Sequence, residues 1–581
     1  MKILIEAYSY NGNSVKNILK GISNLRDVKG KVNVNYVGYF YNPYLKDCVF
    51  ILPKVLLDEK EKVFGRLDPE EIINYDDTNS KFSESERAFI YELAVWIYRT
   101  IVVFDERNPT NTIIRKQNVP QMSPSPLRKY NTFLDILLAL QKFNRENQQL
   151  IFSILKEVRS GYNKINWNKT INRNRVIVQD KTPFYYQVVN KKRVNNPDEE
   201  LLIIYYSILN HIHEEHGFPI QITLGFDLIK GPSFVQYLNG MGIARLRQIR
   251  YKYFSDVSLF LWDLCYAFFE KSKKIGINAN EQEYLLATNF DKVFETIIDD
   301  LVGDPHETFP KGLVEQDDGK RVDHMYRYND LIRDDANENS IYYIGDSKYY
   351  KQKTSLTKNS VYKQFTYARN VIQWNLDLFL DEKDRERKGK ARERKGHVKL
   401  RDDDTEGYNV IPNFFISATQ EELNRNDNIK LDPNSKSRPY FFSYQFKNRL
   451  FDRDTLLIAH YNVNFLFVIS LYAQDNLSQK SNWKKKVREL FRKEIREMLE
   501  KRFDFYIMKA RRNVKATLFL RKNFDTVLGK VFSPYKNKEY YYLALDKSRQ
   551  FKEENDAVCK LLKAKFEIRK CELGAAPGDL F

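Results

Sequence analysis

The chain has 581 residues, a length that predicts three or four domains at roughly 150 residues each. A hydrophobic fraction of 42% and an aromatic fraction of 14% exclude a wholly disordered protein, because disordered chains lack the side chains that build a core. The formal net charge of +18 favours a polyanionic partner such as nucleic acid, although codon usage in an AT-rich genome inflates lysine in the same way.

The first 107 residues are predicted to form an α+β region. Short apolar runs predict three strands, Lys2–Tyr8, Val32–Tyr41 and Cys48–Val55. Ser83 and Glu86 have the spacing of a capping box and open a predicted amphipathic helix. A linker is predicted over residues 108–130, which contain Pro109, Pro120, Pro124 and Pro126.

The cysteine spacing and the lengths of the apolar runs predict the cellular compartment of the protein. The four cysteines lack paired spacing, which excludes a disulfide framework and a CxxC zinc site. The N-terminus becomes polar too early for a signal peptide, and no run approaches 18 apolar residues. We therefore expect a soluble cytoplasmic protein that does not contact a membrane.

Residues 131–278 are predicted to be mostly helical and to be the part that contacts a partner protein. Three helices are predicted, Phe133–Val158, Glu199–His213 and Ser255–Lys274.

Mixed helix and strand patterns predict an α/β domain over residues 279–475. Residues 383–401 interrupt it with ten Lys/Arg against three Asp/Glu, a local charge of +7. Such a run is either a solvated insertion or a loop that contacts phosphates. A basic amphipathic helix, Trp483–Phe505, opens a basic and partly helical C-terminal region, residues 476–581.

The strongest chemical signal lies where the apolar run Ser340–Gly345 meets Asp346-Ser347-Lys348. Residues two apart share a face of a strand, so Asp346 and Lys348 are predicted to enter the same cleft. A hairpin through the polar loop 329–339 would bring Asp323 beside Asp346. Two adjacent carboxylates repel each other, and a divalent cation such as Mg²⁺ relieves that repulsion. Lys348 could then orient the attacking water or stabilise the transition state.

Two flanking helices strengthen this interpretation. Before the acids, the helix Phe290–Ile298 carries Glu295 near its apolar edge, and after them a helix carries Gln364 and Tyr367 on one face. Asp-x-Lys alone is common in this chain, occurring five times, and the alternative is an exposed strand end with Glu295 as a surface charge.

The order of these features resembles the PD-(D/E)xK nucleases: a helix with Glu, an acid, an Asp-x-Lys strand, and a helix with Gln. Within that superfamily the chain is similar to McrC-like subunits, particularly those of LlaJI-family restriction endonucleases. The similarity extends to about Ala473 and rests on Phe294-Glu295, Asp346–Tyr350, Gln364-x-x-Tyr367-Ala368, Asn413–Ile416, Tyr36–Tyr39, Leu52-Pro53-Lys54 and Ile165–Ile171. Val322 stands where a proline often precedes the first acid, and the insertion at 383–401 is longer and more basic than the family pattern.

The resemblance implies a central restriction-endonuclease-like mixed sheet flanked by helices, acting as a DNA endonuclease. Asp323 and Asp346 would hold Mg²⁺, or Mn²⁺ as an alternative, and Glu295 would bind it directly or through water. Lys348 would assist the nucleophile, and Gln364 would position the lysine or the scissile phosphate. The partner would be a McrB-like AAA+ GTPase, since this sequence has no Walker A motif. Two alternatives are a stand-alone type II restriction endonuclease and a non-catalytic DNA-binding or assembly subunit.

Overall fold

The fold was taken from a computed structural model that describes most of the chain. The described residues are 2–20, 22, 26–42, 44–45, 47–74, 81–117, 136, 139–140, 143–144, 147, 152–158, 164–196, 200–216, 227–253, 255–277, 283–310, 312–315, 321–334, 340–352, 354, 356–387, 398–431, 440–443, 447–474, 476–534 and 539–581.

The N-terminal region contains two sheets and a long helix. Its strands are β1 (Lys2–Ile5), β2 (Ser9–Asn11), β3 (Arg26–Val28), β4 (Lys31–Asn33), β5 (Val37–Asn42), β6 (Asp47–Leu52) and β7 (Ile114–Gln117). Its helices are α1 (Gly12–Val15) and α2 (Glu84–Arg107). The predicted strands at Lys2 and Cys48 are confirmed as the shorter β1 and β6, whereas the run Val32–Tyr41 forms two strands, β4 and β5, in different sheets. Ser83 and Glu86 form the predicted capping box. The predicted linker is wrong over its first part, because β7 pairs with a strand at Glu283–Ala287.

The next region is less helical than predicted. Its elements are β8 (Phe152–Val158), β9 (Lys164–Ile165), α3 (Trp167–Arg173), β10 (Val176–Gln179), β11 (Thr182–Tyr185), β12 (Asn190–Asn196), α4 (Glu200–His216), α5 (Gly231–Gln236), α6 (Gly242–Ile249) and α7 (Asp256–Ile277). The helices predicted near residues 199 and 255 are confirmed as α4 and α7. The helix predicted over Phe133–Val158 is wrong at its end, where β8 pairs antiparallel with β12.

The central region forms a mixed sheet. Its elements are β13 (Glu283–Ala287), α8 (Phe290–Val302), β14 (His324–Asn329), β15 (Ser340–Lys348), α9 (Lys358–Arg387), β16 (Pro412–Thr419), β17 (Ile429–Leu431), β18 (Tyr440–Ser443), β19 (Leu456–Asn464) and α10 (Phe465–Ala473). The strand order is β14-β15-β16-β19-β17, with β18 also on β19. Strands β15, β16 and β19 are parallel, so their carboxyl ends meet at one edge of the sheet.

The two ends of the basic insertion are described. Its first residues, through Arg387, continue α9, and residues 388–397 lie outside the described part. The last residues of the insertion are packed, since Val398 and Leu400 are buried and Asn375 donates a hydrogen bond to the Val398 carbonyl. A β-branched residue and a leucine therefore anchor this end of the run.

The C-terminal region is a helix followed by an antiparallel sheet. Its elements are α11 (Leu477–Arg502), β20 (Phe503–Ala510), α12 (Ala516–Lys522), α13 (Phe524–Val527), β21 (Val531–Phe532), β22 (Tyr540–Asp546), α14 (Lys552–Lys563) and β23 (Phe566–Cys571). The predicted basic helix is confirmed as α11, but Phe505 belongs to β20, where Phe503, Phe505 and Ile507 alternate towards the core.

Two large apolar cores organise these elements. One joins buried side chains of the N-terminal, central and C-terminal regions. The other belongs to the region around α4 and α7. The domain limits stay predictions, but the chain is confirmed as mixed α/β with several sheets. Within the described ranges, no helix combines the length and the apolar character needed to cross a membrane.

Candidate functional site

The hairpin of β14 and β15 brings two acidic residues together. His324 pairs with Gly345 in the antiparallel register, which places Asp323 opposite Asp346 one step further on. Gly345 is required beside them, because a Cβ there would come within 2.1 Å of the Phe414 ring on β16. The hairpin predicted from the sequence is therefore present, and its open end carries both carboxyl groups.

The pKa of Asp323 lies above its ordinary value. Burial raises the pKa of Asp323 to about 6, and its hydrogen bond with Asp346 and the negative charge there act in the same direction. His324 and Lys292 oppose the rise through their positive charge. Asp346 is itself only 5% exposed. Below about pH 6, protonated Asp323 donates its hydrogen bond to the Asp346 carboxylate.

The Lys348 side chain lies on the same face of β15 as Asp346. Its ammonium forms an ion pair with Asp346, two residues earlier on β15. The Nζ atom also lies 5.5 Å from the centroid of the Phe415 ring on the neighbouring strand. Because the lysine side chain is only 15% exposed, the strand and the aromatic ring hold the charge close to the acids.

Glu295 is not brought into this pair. On α8 its carboxylate lies 2.5 Å from the Nζ atom of Lys292, one turn earlier on the same helix. Within the described residues, no group of three or more His, Cys, Asp or Glu side chains is close enough to hold a metal ion. The structure therefore does not bring Glu295 together with Asp323 and Asp346 as three direct metal ligands. Glu295 forms an ion pair with Lys292 instead.

The Asp323–Asp346 pair nevertheless has the chemistry that a divalent cation requires. Its oxygens are hard ligands, and Mg²⁺ is commonly held by one or two carboxylates while it keeps several waters. The proton that Asp323 retains up to about pH 6 marks a position where positive charge is favoured. A divalent cation that replaces this proton would fit the residues present.

Gln364 on α9 holds the helix against the sheet. Its side chain is buried, and Nε2 donates to the Ile344 carbonyl at 3.3 Å and to Asn413 Oδ1 at 3.2 Å. Its Oε1 atom has no partner among the described residues. The contacts with β15 and β16 place Gln364 behind the acids, so its contact with Lys348 or with phosphate stays a prediction.

Sequence reasoning missed Lys363, which precedes Gln364. A hydrogen bond with Tyr367 raises the pKa of Lys363, and the charges of Asp323 and Asp346 act in the same direction. The exposed ammonium therefore faces the acidic pair from α9. The spacing of Lys363 and Tyr367, four residues apart, could have revealed this contact.

A second missed pair lies next to Lys348 on the sheet. Ser417 is the register partner of Lys348 on β16, and its hydroxyl is 2.7 Å from His460 Nε2 on β19. Nothing in the local sequence pattern signals this pair, because it depends on the parallel alignment of three strands.

No protein-family model matches this chain, and no curated protein matches its sequence. The functional interpretation therefore rests on the geometry of the site and on the resemblance of its motifs.

Proposed function

We propose that the chain is the nuclease subunit of a restriction system and hydrolyses phosphodiester bonds of double-stranded DNA with Mg²⁺ or Mn²⁺. The observation that carries the proposal is the Asp323–Asp346 pair with Lys348 on the same strand face. The order of α8, the hairpin and α9 around this site supports a PD-(D/E)xK core.

Each residue of the site has a defined part in this proposal. Asp323 and Asp346 would hold the divalent cation once Asp323 has lost its proton. When bound, the cation would supply positive charge against the negative charge that develops on the phosphate. Lys348, which Asp346 keeps in place, would donate a hydrogen bond to the attacking water or to a phosphate oxygen. Glu295 would act only through water, because its carboxylate pairs with Lys292.

Charge and sequence support the choice of partners. The net charge of +18 suits a polyanion, and Lys363 adds exposed positive charge beside the acids. The McrC-like resemblance and the absence of a Walker A sequence support a separate McrB-like AAA+ GTPase.

The test is cleavage of supercoiled plasmid by the full chain. Reactions contain Mg²⁺, Mn²⁺, Ca²⁺ or EDTA, with and without a McrB-like GTPase and GTP. We expect cutting only with Mg²⁺ or Mn²⁺ and strong dependence on the partner. Asp346→Asn should lower the rate at least about 10²-fold without loss of folding. Asp427→Asn, an exposed carboxylate paired with Lys486, is the matched control and should cut normally.

The remaining outcomes separate the alternatives. Cutting without GTP or partner would indicate a stand-alone type II enzyme. DNA binding without cutting under every condition would indicate a non-catalytic subunit and would overturn the proposed nuclease. Normal cutting by Asp346→Asn would remove the assigned site.

A further inference from the structure

The residue after Lys348 is held by the N-terminal region of the chain. Tyr349 is 4% exposed, and its hydroxyl donates a hydrogen bond to Glu6 Oε2, across 343 positions of sequence. The same oxygen accepts a hydrogen bond from the Lys54 backbone amide at 3.1 Å. The Lys54 Nζ atom lies 4.6 Å from the centroid of the Tyr349 ring. One carboxylate thus joins the end of β1, the segment after β6 and the end of the catalytic strand.

The next residues of the chain are tied to the same region. The Gln352 amide donates to the Leu57 carbonyl at 2.7 Å, and Lys351 forms an exposed ion pair with Glu61 at 2.5 Å. Tyr349, Lys351 and Gln352 are therefore each attached to the N-terminal region. The attachment is continuous with the site, because β15 ends at Lys348 itself.

The tyrosine ring is also fixed from the central domain. Its centroid lies 5.5 Å from that of Phe290 and 6.0 Å from that of Phe294, both on α8, and 6.0 Å from that of Phe465. Tyr349 directly follows Lys348, the last residue of β15, so a ring held in place fixes the backbone next to the lysine. Apolar packing alone would allow the ring to rotate or slide, whereas the hydrogen bond to Glu6 selects one position.

A buried carboxyl group is costly, and burial raises the pKa of Glu6. An apolar residue at this position would fill the same space without that cost. A carboxylate that accepts hydrogen bonds from Tyr349 and from the Lys54 amide instead determines a unique geometry at the strand end.

We propose that Glu6 and Tyr349 are positioning residues of the active site, which hold the end of β15 so that Lys348 faces the acidic pair. The N-terminal region is thereby a structural part of the nuclease site, and a change in its position would reach Lys348 directly. This inference rests on the proposed function of Lys348, and it concerns residues that do not themselves touch substrate.

The first experiment measures single-turnover plasmid cleavage by the full chain with saturating Mg²⁺ and partner. Tyr349→Phe keeps the ring and removes the hydroxyl, and we expect a rate roughly tenfold lower, the effect of one lost hydrogen bond. DNA affinity and the melting temperature should change little. Glu6→Gln retains an acceptor oxygen and should be milder than Glu6→Leu. Glu61→Gln breaks the exposed ion pair in the same interface and serves as the control, with an unchanged rate.

Two further measurements separate positioning from general stability. In a Lys348→Ala background, Tyr349→Phe should cause no further loss of residual cleavage, because its effect passes through the lysine. Hydrogen exchange of the segment 344–352 should become faster in Tyr349→Phe while the rest of the sheet stays protected.

The outcomes are distinguishable from those of the proposed function. Cleavage and exchange that both match the wild type in Tyr349→Phe would overturn the positioning role. An equal loss of cleavage with and without Lys348 would also overturn it. If the wild-type protein cuts no DNA, the proposed function fails and with it any catalytic role for the contact. Exchange would then decide only whether Glu6 and Tyr349 hold the strand end.

Discussion

The two acidic residues of the site are not equivalent. Asp346 has a direct ion pair with Lys348, whereas Asp323 interacts with the charges of His324, Lys292 and Lys363. The pKa of Asp323 rises to about 6, so Asp323 keeps its proton to a higher pH than an ordinary aspartate. Magnesium must compete with this proton, so its affinity should increase as the pH rises through about 6.

The pKa of Asp323 predicts how metal-free stability depends on pH. The folded-state value of about 6 lies above the ordinary value of 3.8, so the folded protein binds the proton more tightly than the unfolded chain. The contribution of Asp323 to the free energy of unfolding is fully present below about pH 4 and is lost as the pH rises through about 6. The loss is at most roughly 3 kcal/mol. In EDTA, the melting temperature of Asp323→Asn should be higher than that of the wild type at pH 7.5, but not at pH 4.

The exposed variant Asp427→Asn is the control and should follow the wild-type pH profile. If the melting temperatures of Asp323→Asn and the wild type change in parallel from pH 4 to 7.5, the pKa of Asp323 is not raised. A gain in Mg²⁺-dependent stabilisation between pH 5 and 7.5 in the wild type, absent from the Asp323→Asn protein, would support metal binding at this pair.

At the scale of elements, a buried amide joins α9 to β15 and β16. Gln364 donates to both β15 and β16, and removal of this side chain leaves the Ile344 carbonyl and Asn413 Oδ1 without that donor. Gln364→Ala should therefore destabilise the protein by about 1–3 kcal/mol, seen as a lower melting temperature. Gln373→Ala is the matched control on the same helix, because Gln373 is exposed and its amide donates to Asp377, one turn further along the helix surface.

Cleavage separates the two roles of Gln364. If it acts only by holding the helix, cleavage by Gln364→Ala well below its melting temperature should stay within about tenfold of the wild type. A loss of several hundredfold without loss of stability would instead indicate direct contact with Lys348 or phosphate.

The elements that sequence predicts well are those whose pattern is local. Strand β15 and the hairpin follow from an apolar run, a polar loop and a second acid, and α2 follows from its capping box. The strand at Phe152–Val158 escaped prediction because its partner, Asn190–Asn196, lies more than thirty residues further along the chain. The helix pattern predicts which face carries Glu295 but not its ion pair with Lys292, and metal binding through water by Glu295 stays a prediction. The contact of Glu6 with Tyr349 has no local signal at all, since it joins distant parts of the chain.

At the scale of the whole molecule, the C-terminal helix belongs to the structure around the site. The Phe491 ring of α11 stacks on Tyr461 of β19 with centroids 3.8 Å apart. Arg488 donates to the Val302 carbonyl and to Asp304, and so holds the connection between α8 and β14. The basic face of this helix is therefore partly used within the protein, and the surplus charge of the chain is not all available to DNA.

The basic insertion is the segment best placed to use that surplus. Helix α9 carries it away from the acidic pair as far as Arg387, and the chain returns to the buried Val398. We expect the charges of this segment to contact DNA phosphates, where they would raise affinity without reading sequence.

Neutralising the insertion should weaken DNA binding but leave the position of cleavage unchanged. In an Asp346→Asn background with the full assembly, the variant replaces six residues by Gln: Arg385, Arg387, Lys388, Arg392, Arg394 and Lys395. If the segment makes about three phosphate contacts, the slope of log K against log salt on a short duplex should flatten by roughly three units. The control removes the same number of charges from exposed lysines elsewhere, at Lys485, Lys486, Lys493, Lys501, Lys552 and Lys563. A smaller change in the control would show that contact, and not net charge, governs the slope, whereas equal slopes in the insertion variant and the wild type would mean that the insertion is only solvated.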